Sequence, residues 1–367
     1  MKVLIIMHSS NTLYGAAKSL QKLIENTLWD VDLVYPNSFF HPVSKETMHS
    51  YSGIPMDRLH RLFLPFRKKT VYAGRYSAKE FVWEVGKRVA ERIDYYRLKS
   101  IISKGQYDYV LLNSIVLYPY ADISSNTIVY VREMVVATGI LYKRILNKLL
   151  KTKKIIFIDK AITKPFNNTK LEYKVINNPF DMTNVNSVKR DEVRQALEID
   201  NQKIIISIIG NVSQDKGIDF VINVIEKLKR EDIVLLVVGN GNAEYYNYCV
   251  RLSKKGRVYF LGEQKNVFPI YAISDYVIRA DLHFATGRTV YEGLYSGCRV
   301  IMQKDDDSDE TIISKFDEFK NQIYFYRTRN EDSLLMLLED IKPNQKLENY
   351  GRSNIDEYIE QVNGYIK

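Results

Sequence analysis

Short unbroken apolar runs alternate along the chain with longer amphipathic stretches. Val3–Met7, Asp30–Val34, Tyr107–Leu112, Thr127–Val131, Lys154–Ile158 and Lys174–Ile176 are brief and rich in β-branched residues, which predicts strands. Between them, residues 16–26 and 78–103 repeat apolar positions at helical spacing. In the second stretch Phe81, Val85, Val89, Ile93 and Tyr96 share one face. From residue 203 the alternation is clearer. Strands are predicted at Lys203–Ile209, Ile233–Val238, Val258–Leu261, Asp275–Ile278 and Arg299–Met302, with helices at Lys216–Lys229, 243–254, 267–273 and Thr289–Ser296.

Strands alternating with helices predict an α/β chain with mostly parallel, doubly wound sheets. Asn178-Pro179 breaks the pattern and divides it into an N-terminal domain, residues 1–177, and a second domain, residues 178–345. Residues 346–367 read as a polar helix packing back on the N-terminal domain. Such domains bind ligands beyond the carboxyl ends of their strands. Two in tandem, facing a cleft, predict a two-substrate enzyme; two domains with unrelated ligands are the alternative.

Composition narrows the classes. Of 367 residues, 46% are hydrophobic and 26% charged, a globular balance that excludes a disordered chain. Cys249 and Cys298 are the only cysteines, and the five histidines (8, 41, 49, 60 and 283) are scattered, which excludes a disulfide framework and a structural zinc site. The apolar start is too short for a signal segment, and no apolar run reaches the roughly 18–20 residues that cross a bilayer. A cytoplasmic protein, peripheral at the inner face of the cell membrane, is expected.

The net charge of +9 is concentrated. Residues 58–104 carry thirteen basic and four acidic side chains, interleaved with Phe63, Phe66, Tyr72, Tyr76, Phe81 and Trp83. Residues 141–154 place Lys143, Arg144, Lys148, Lys151, Lys153 and Lys154 around Leu141, Ile145, Leu146, Leu149 and Leu150. Basic amphipathic surfaces attract anionic lipid at roughly 1 kcal/mol per basic residue. An anionic membrane surface is therefore an expected partner through 58–104 and 141–154, against the alternative of a solvated basic face. No nucleic-acid module is present, so no nucleic-acid partner is expected.

Two segments carry candidate chemistry. In Ile209-Gly210-Asn211-Val212-Ser213-Gln214-Asp215-Lys216-Gly217 a strand passes through a loop to a helix start, where backbone N–H groups and Lys216 suit a phosphate. A surface lysine near a helix start has the same local pattern. In Gly287-Arg288-Thr289-Val290-Tyr291-Glu292-Gly293 the glycine permits close backbone approach, and Glu292, one turn in, suits a ribose diol. An exposed helix glutamate is the alternative. The acidic run Asp305–Glu310 reads as a solvated loop.

The order and spacing of these segments carry a resemblance. Residues 174–303 resemble the donor-binding half of GT-B glycosyltransferases of the retaining family 4 (group 1) type. The landmarks are Val175-Ile176-Asn177-Asn178-Pro179-Phe180-Asp181, Gly210…Lys216-Gly217, Val237-Val238-Gly239-Asn240-Gly241, Val258-Tyr259-Phe260-Leu261-Gly262, Ser274-Asp275-Tyr276-Val277 and Gly287…Glu292-Gly293…Gly297. The resemblance implies two Rossmann-like domains facing a cleft. It implies a nucleotide-sugar donor bound by Gly15, Gly210, Asn211, Lys216 (diphosphate), Gly239, Gly241, Phe284, Gly287, Thr289 and Glu292 (ribose). The N-terminal half resembles the acceptor domain: Gly15 stands in the place of the family's glycine-rich loop, and Arg132-Glu133 where relatives carry a histidine and an acid. Arg132, Glu133 and Arg288 are the expected catalytic groups.

Two positions depart from the family. Phe284, beside His283, replaces a glutamate eight residues before Glu292, and Asn211 replaces an arginine whose charge Arg279 or Arg288 is placed to supply. The expected function is transfer of a sugar from a nucleotide-diphosphate donor to a lipid-linked or cell-surface glycan, with retention, no metal and no cofactor. The departures leave open a catalytically silent interaction protein, a sugar-nucleotide epimerase or a polyol-phosphate transferase.

Overall fold

The structure is a computed structural model that describes residues 1–9, 15–37, 43–65, 78–135, 139–281, 287–305, 314–344, 346 and 350–367. It divides into two compact units. The first joins Met1–Pro179 to Ile355–Lys367, and the second is Phe180–Asn354.

The first unit runs β1 (Lys2–Ile6), α1 (Gly15–Asn26), β2 (Asp30–Pro36), α2 (Lys45–Ser52), β3 (Leu59–Leu62), α3 (Ala78–Gly105), β4 (Tyr109–Leu112), β5 (Thr127–Val131), α4 (Gly139–Leu149), β6 (Lys154–Phe157) and β7 (Lys174–Val175). All strand pairs are parallel, in the order β3-β2-β1-β4-β5-β6-β7. The second unit runs α5 (Arg190–Ala196), β8 (Ile204–Ile209), α6 (Ile218–Lys227), β9 (Ile233–Val238), α7 (Ala243–Leu252), β10 (Val258–Gly262), α8 (Phe268–Ile273), β11 (Tyr276–Arg279), α9 (Arg288–Tyr295), β12 (Arg299–Lys304), β13 (Ile323–Arg327) and α10 (Glu331–Asp340). Its parallel sheet has the order β10-β9-β8-β11-β12-β13.

Continuous apolar strands fit these sheets because both faces are covered. β9, Ile-Val-Leu-Leu-Val-Val, is buried along its whole length. α6 turns Phe220, Val221, Val224 and Ile225 into the core, each burial being worth roughly 1.5–3 kcal/mol. The last helix, α11 (Ile355–Ile366), returns to the first unit. Its Tyr358, Val362 and Ile366 join the core of that unit, the Trp29 indole donates to Asn363 Oδ1 at 2.9 Å, and Tyr130 and Tyr358 share a hydroxyl contact at 3.2 Å.

Each strand order reverses at one place, and there the carboxyl ends of neighbouring strands open a crevice. In the first unit the reversal lies between β1 and β4, and in the second between β8 and β11. These two points position the polar residues described below.

The long helix α3 departs from the usual amphipathic arrangement. Its apolar stripe faces solvent: Val85, Val89, Ile93 and Tyr96 are exposed, as are Val82 and Trp83, while the buried positions include Glu84, Asp94 and Leu98. Asp94 anchors the helix by accepting from the Phe63 and Leu64 amides at 3.2 and 2.7 Å. Phe66, Tyr72 and Tyr76, and the side chain of Phe81, lie outside the described residues.

Candidate functional site

In the second unit, β8 ends at Ile209 and the chain passes through Gly210 and Asn211 to a single 3-10 turn, Gln214–Lys216. Lys216 therefore precedes helix α6, which starts at Ile218, where the sequence pattern had placed it inside the helix. Gly217 makes the junction with φ of 65°, and a Cβ there would lie 2.5 Å from the Ala280 carbonyl oxygen. Only glycine permits that approach, which brings Lys216 against the end of β11. Its Nζ donates to Asp281 Oδ2 at 2.6 Å, and the same oxygen receives Arg279 Nη2 at 3.3 Å.

Asp281 is thus a site residue that the motif reading missed. The available signal was its position two residues beyond a strand at the reversal point. Arg279, nearly buried, is the arginine that joins the Lys216 cluster. Its guanidinium also borders the start of α9, where a Cβ on Gly287 would meet Arg279 Cζ at 3.7 Å. The N-cap Gly287 offers no side chain, so the first turn of α9, including half-buried Thr289, has no side-chain cap.

Glu292 is neither exposed nor free. Its Oε1 accepts from Arg288 Nε at 2.8 Å and its Oε2 from the Tyr271 hydroxyl at 2.9 Å. Burial, reinforced by Glu292, raises the Tyr271 pKa well above that of an ordinary phenol, so Tyr271 stays a donor. Arg288 lies over the Phe180 ring, 4.6 Å from its centroid, and Phe180 stacks on Tyr291 at 5.1 Å. Arg288 is accordingly placed as a partner of Glu292. Lysine and carboxylate sit on separate elements, connected through Arg279 and the start of α9.

Gly239 and Gly241 have a packing reason of their own. A Cβ on Gly239 would fall 1.8 Å from Gly210 O, and one on Gly241 1.8 Å from Val212 O. The two loops beyond β8 and β9 are pressed together there, with Val212 N donating to Asn240 O at 2.9 Å. Asn211 is exposed. Phe284 and His283 lie outside the described residues, as do residues 306–310 of the acidic run. Among the described residues no group of three or more His, Cys, Asp or Glu is placed to hold a metal ion.

The first unit gathers a second polar group at its own reversal point. Gly15 opens α1, and the next carbonyl, Ala16 O, accepts from Asn113 Nδ2 at 3.5 Å. Arg132 donates through Nε to Asn113 Oδ1 at 2.9 Å and through Nη1 to Asn178 Oδ1 at 2.6 Å. Glu133 accepts from Ser114 Oγ at 2.8 Å and from the Ile115 amide at 3.4 Å, and lies 3.8 Å from His8 Nε2. His8, Asn113 and Ser114 were not singled out by the motif reading.

Against this geometry, the Glycosyl transferases group 1 family model matches residues 189–357, a span that holds Lys216, Asp281, Arg288 and Glu292. Residues 189–357 are thus similar to the glycosyl transferases group 1 family. A glycogen synthase of Clostridium botulinum is 26% identical over 180 residues, covering 45% of this chain and 36% of the synthase. The chain spans less than half the length of the curated relatives it matches.

Solved structures extend the likeness beyond the group 1 domain. Anabaena HepE, in complex with UDP, superposes with a TM-score of 0.72 at 15% identity, covering 99% of each chain. WaaG, a glycosyltransferase involved in lipopolysaccharide biosynthesis, gives 0.62 at 13% identity, covering 99% of this chain and 95% of its own. At these identities the likeness establishes the fold, two Rossmann-like parallel-sheet units of GT-B type.

The basic segments are partly structural. Arg58 is paired with Asp30 and Asp32. Lys154, expected on a membrane-facing surface, instead donates to the carbonyls of Tyr365 and Ile366, the latter at 2.8 Å. A cation there satisfies the last carbonyls of α11. Lys148 is paired with Asp122 and, with Arg88, Arg92, Arg144 and Lys151, lines a groove of about 690 Å³ that also includes Tyr95, Tyr96 and Tyr118. Among the described residues no helix is long and apolar enough to cross a membrane.

Proposed function

We propose that the protein is a glycosyltransferase that takes its sugar from a nucleotide-diphosphate donor. The observation that carries this reading is the pairing, in one family-matched unit, of a Lys216–Asp281–Arg279 cluster with a Glu292 carboxylate held by Tyr271 and Arg288. The cations suit the charge that builds on a leaving diphosphate. The oriented carboxylate suits two hydroxyls of a ribose. The HepE structure with UDP supports a uridine donor as the first to try.

The finer reading has the first unit receiving a lipid-linked or cell-surface glycan acceptor, with retention at the anomeric carbon and no metal. Retention follows the family resemblance, and metal independence the want of an Asp-x-Asp pair at a strand end once Asp305–Glu310 is read as a solvated loop. Lys216, Arg279 and the uncapped amides of α9 supply positive charge by themselves. An anionic membrane surface is the proposed location, supported by the basic groove and by the exposed apolar stripe of α3.

The deciding experiment is thermal denaturation with UDP, GDP, ADP and TDP, followed by transfer from the sugar nucleotide whose base stabilises most. A ligand at 100 times its dissociation constant adds about 2.7 kcal/mol. Stabilisation by one diphosphate, lost in Lys216→Ala, is expected. No stabilisation by any of the four would overturn the reading. Retention is checked by NMR of the first-formed anomer, and metal independence by transfer in the presence of a chelator.

A further inference from the structure

Cys298 and Lys346 meet at the carboxyl end of helix α8. Cys298, at the turn from α9 into β12, is fully buried, and its Sγ lies 3.3 Å from Tyr271 O and 3.4 Å from Ser274 O. Asn344 brings the later chain to the same place: its amide donates to Asp275 Oδ1 at 2.9 Å and its side chain to Gly297 O at 2.8 Å. Lys346 then donates from Nζ to the carbonyls of Tyr271 and Ala272, as a cation at a helix C-terminus does. The same Nζ donates to Cys298 Sγ at 3.2 Å, so an amine and a thiol 48 residues apart in the chain are in contact.

The two cysteines of the chain differ in this respect. Both are fully buried, and burial raises the pKa of each thiol. At Cys249 the further influences are a hydrogen bond with Tyr245, which lowers it, and the charge of Asp219, which raises it. At Cys298 the charge and hydrogen bond of Lys346, with Arg190 assisting and Asp275 opposing, draw the thiol back toward the thiolate. Burial also lowers the Lys346 pKa, with Cys298 and Asp275 opposing and Arg190 assisting, which enlarges the fraction of free amine. Thiolate is the form that peroxide oxidises, and a free amine is the form that attacks an oxidised sulfur. A buried thiol without such a neighbour is ordinarily inert.

We propose that Cys298 and Lys346 form an oxidative modification site, at which hydrogen peroxide joins the two side chains through an Sγ–Nζ sulfenamide bond. In the first step Sγ takes one oxygen from peroxide. The O–O bond breaks, sulfur is oxidised to the sulfenic acid, and water leaves. In the second step the Lys346 amine attacks Sγ, the N–S bond forms, and the sulfenic hydroxyl departs with an amine proton as water. A dithiol reductant reverses the change, regenerating amine and thiol and becoming a disulfide. Because Cys298 has no exposed surface, the rate follows local opening of the structure around it. The link closes a loop of 48 residues and constrains the unfolded chain as a disulfide does. It also fixes Lys346 beside Tyr271, whose hydroxyl holds Glu292. Neither step requires the glycosyltransferase reading to hold.

The test exposes the folded full chain to hydrogen peroxide, followed by alkylation, tryptic digestion and mass spectrometry. The expected product joins residues 289–299 to residues 330–352 with the loss of two hydrogens, uncut after Lys346 because trypsin requires the free amine. Dithiothreitol should release it, and Cys249 should form no such link. The treated chain should melt roughly 5 °C or more above the untreated one, as closure of a long loop predicts. Lys346→Arg, which keeps the cation and removes the amine, should show no gain. Cys298 oxidised to a sulfenic or sulfinic acid with Lys346 unmodified overturns the proposal. So does a folded chain whose Cys298 is untouched at a peroxide concentration that oxidises the urea-unfolded chain. A melting gain in Lys346→Arg equal to that of the native chain overturns it as well.

Discussion

Lys216 Nζ lies 2.6 Å from Asp281 Oδ2, so the lysine at the candidate diphosphate position is held by a carboxylate from the neighbouring strand end. Asp281 orients Lys216 and Arg279 together. Lys216→Ala is expected to lower kcat/KM on the order of 10²-fold, the usual effect of removing one group that stabilises developing charge. Asp281→Asn keeps the cations and loosens them, and should weaken nucleotide affinity about tenfold, or ~1.4 kcal/mol. Nucleotide titration and steady-state kinetics of the two variants check both values.

Tyr271→Phe removes the buried donor to Glu292 Oε2 and leaves Arg288 as its remaining described side-chain partner. Stability should fall by about 0.5–1.5 kcal/mol. Affinity should fall more for a ribonucleoside diphosphate than for its 2′,3′-dideoxy analogue, because the misplaced carboxylate matters only where hydroxyls are present. Equal losses for both ligands would remove Glu292 from the ribose role.

Gly217→Ala places a Cβ at positive φ, 2.5 Å from the Ala280 carbonyl oxygen. The backbone conformation alone costs roughly 1–2 kcal/mol, and the contact adds to it. Chemical denaturation should show a loss of at least that size. Gly256→Ala, also at positive φ but with nothing within 4 Å, separates the two contributions.

Asp32 provides an acid-sensitive contact in the first unit. Burial raises its pKa, but hydrogen bonds from Tyr107 and Arg58 outweigh this, and the net shift is downward. A lowered folded-state pKa contributes stability that is present above the unfolded value near 3.8 and lost as pH falls below it through the folded value. Denaturation between neutral pH and pH 3 should therefore show a decline that Asp32→Asn reduces.

The basic groove and the stripe of α3 predict binding to vesicles that contain anionic phospholipid. Replacing Arg88 and Arg92 by alanine should weaken co-sedimentation by roughly 2 kcal/mol, and added salt should weaken the native protein likewise. Ile93→Asp should reduce binding with less salt dependence. Equal sedimentation with neutral and anionic vesicles would remove the membrane from the proposed function.

Much of the second unit is legible along the chain because its information is local. The apolar runs of β8, β9 and β11 carry their own strand signal, and Lys216, Gly287 and Glu292 fall at fixed offsets from strand and helix ends. The helix α2, the strand β3 and the strand β13 were not predicted. Their segments Lys45–Ser52, Leu59–Leu62 and Ile323–Arg327 are short and mixed, and their structure depends on the neighbours against which they pack.

Sequence alone determined the alternating α/β order, the two parallel-sheet units and the family resemblance, since periodicity and motif spacing survive in one dimension. It placed helix α3 and the apolar face of Val85, Val89, Ile93 and Tyr96 correctly, but carried no sign that this face lies in solvent while Asp94 and Leu98 make the inward contacts. Tertiary structure decided the partners. Asp281 stands 65 residues from Lys216, His8 meets Glu133 across three strand ends, and Lys154 is taken from the basic surface by the carbonyls of α11. Those relationships follow from strand order, and the crossovers that bring distant strand ends together leave no periodic trace in the sequence.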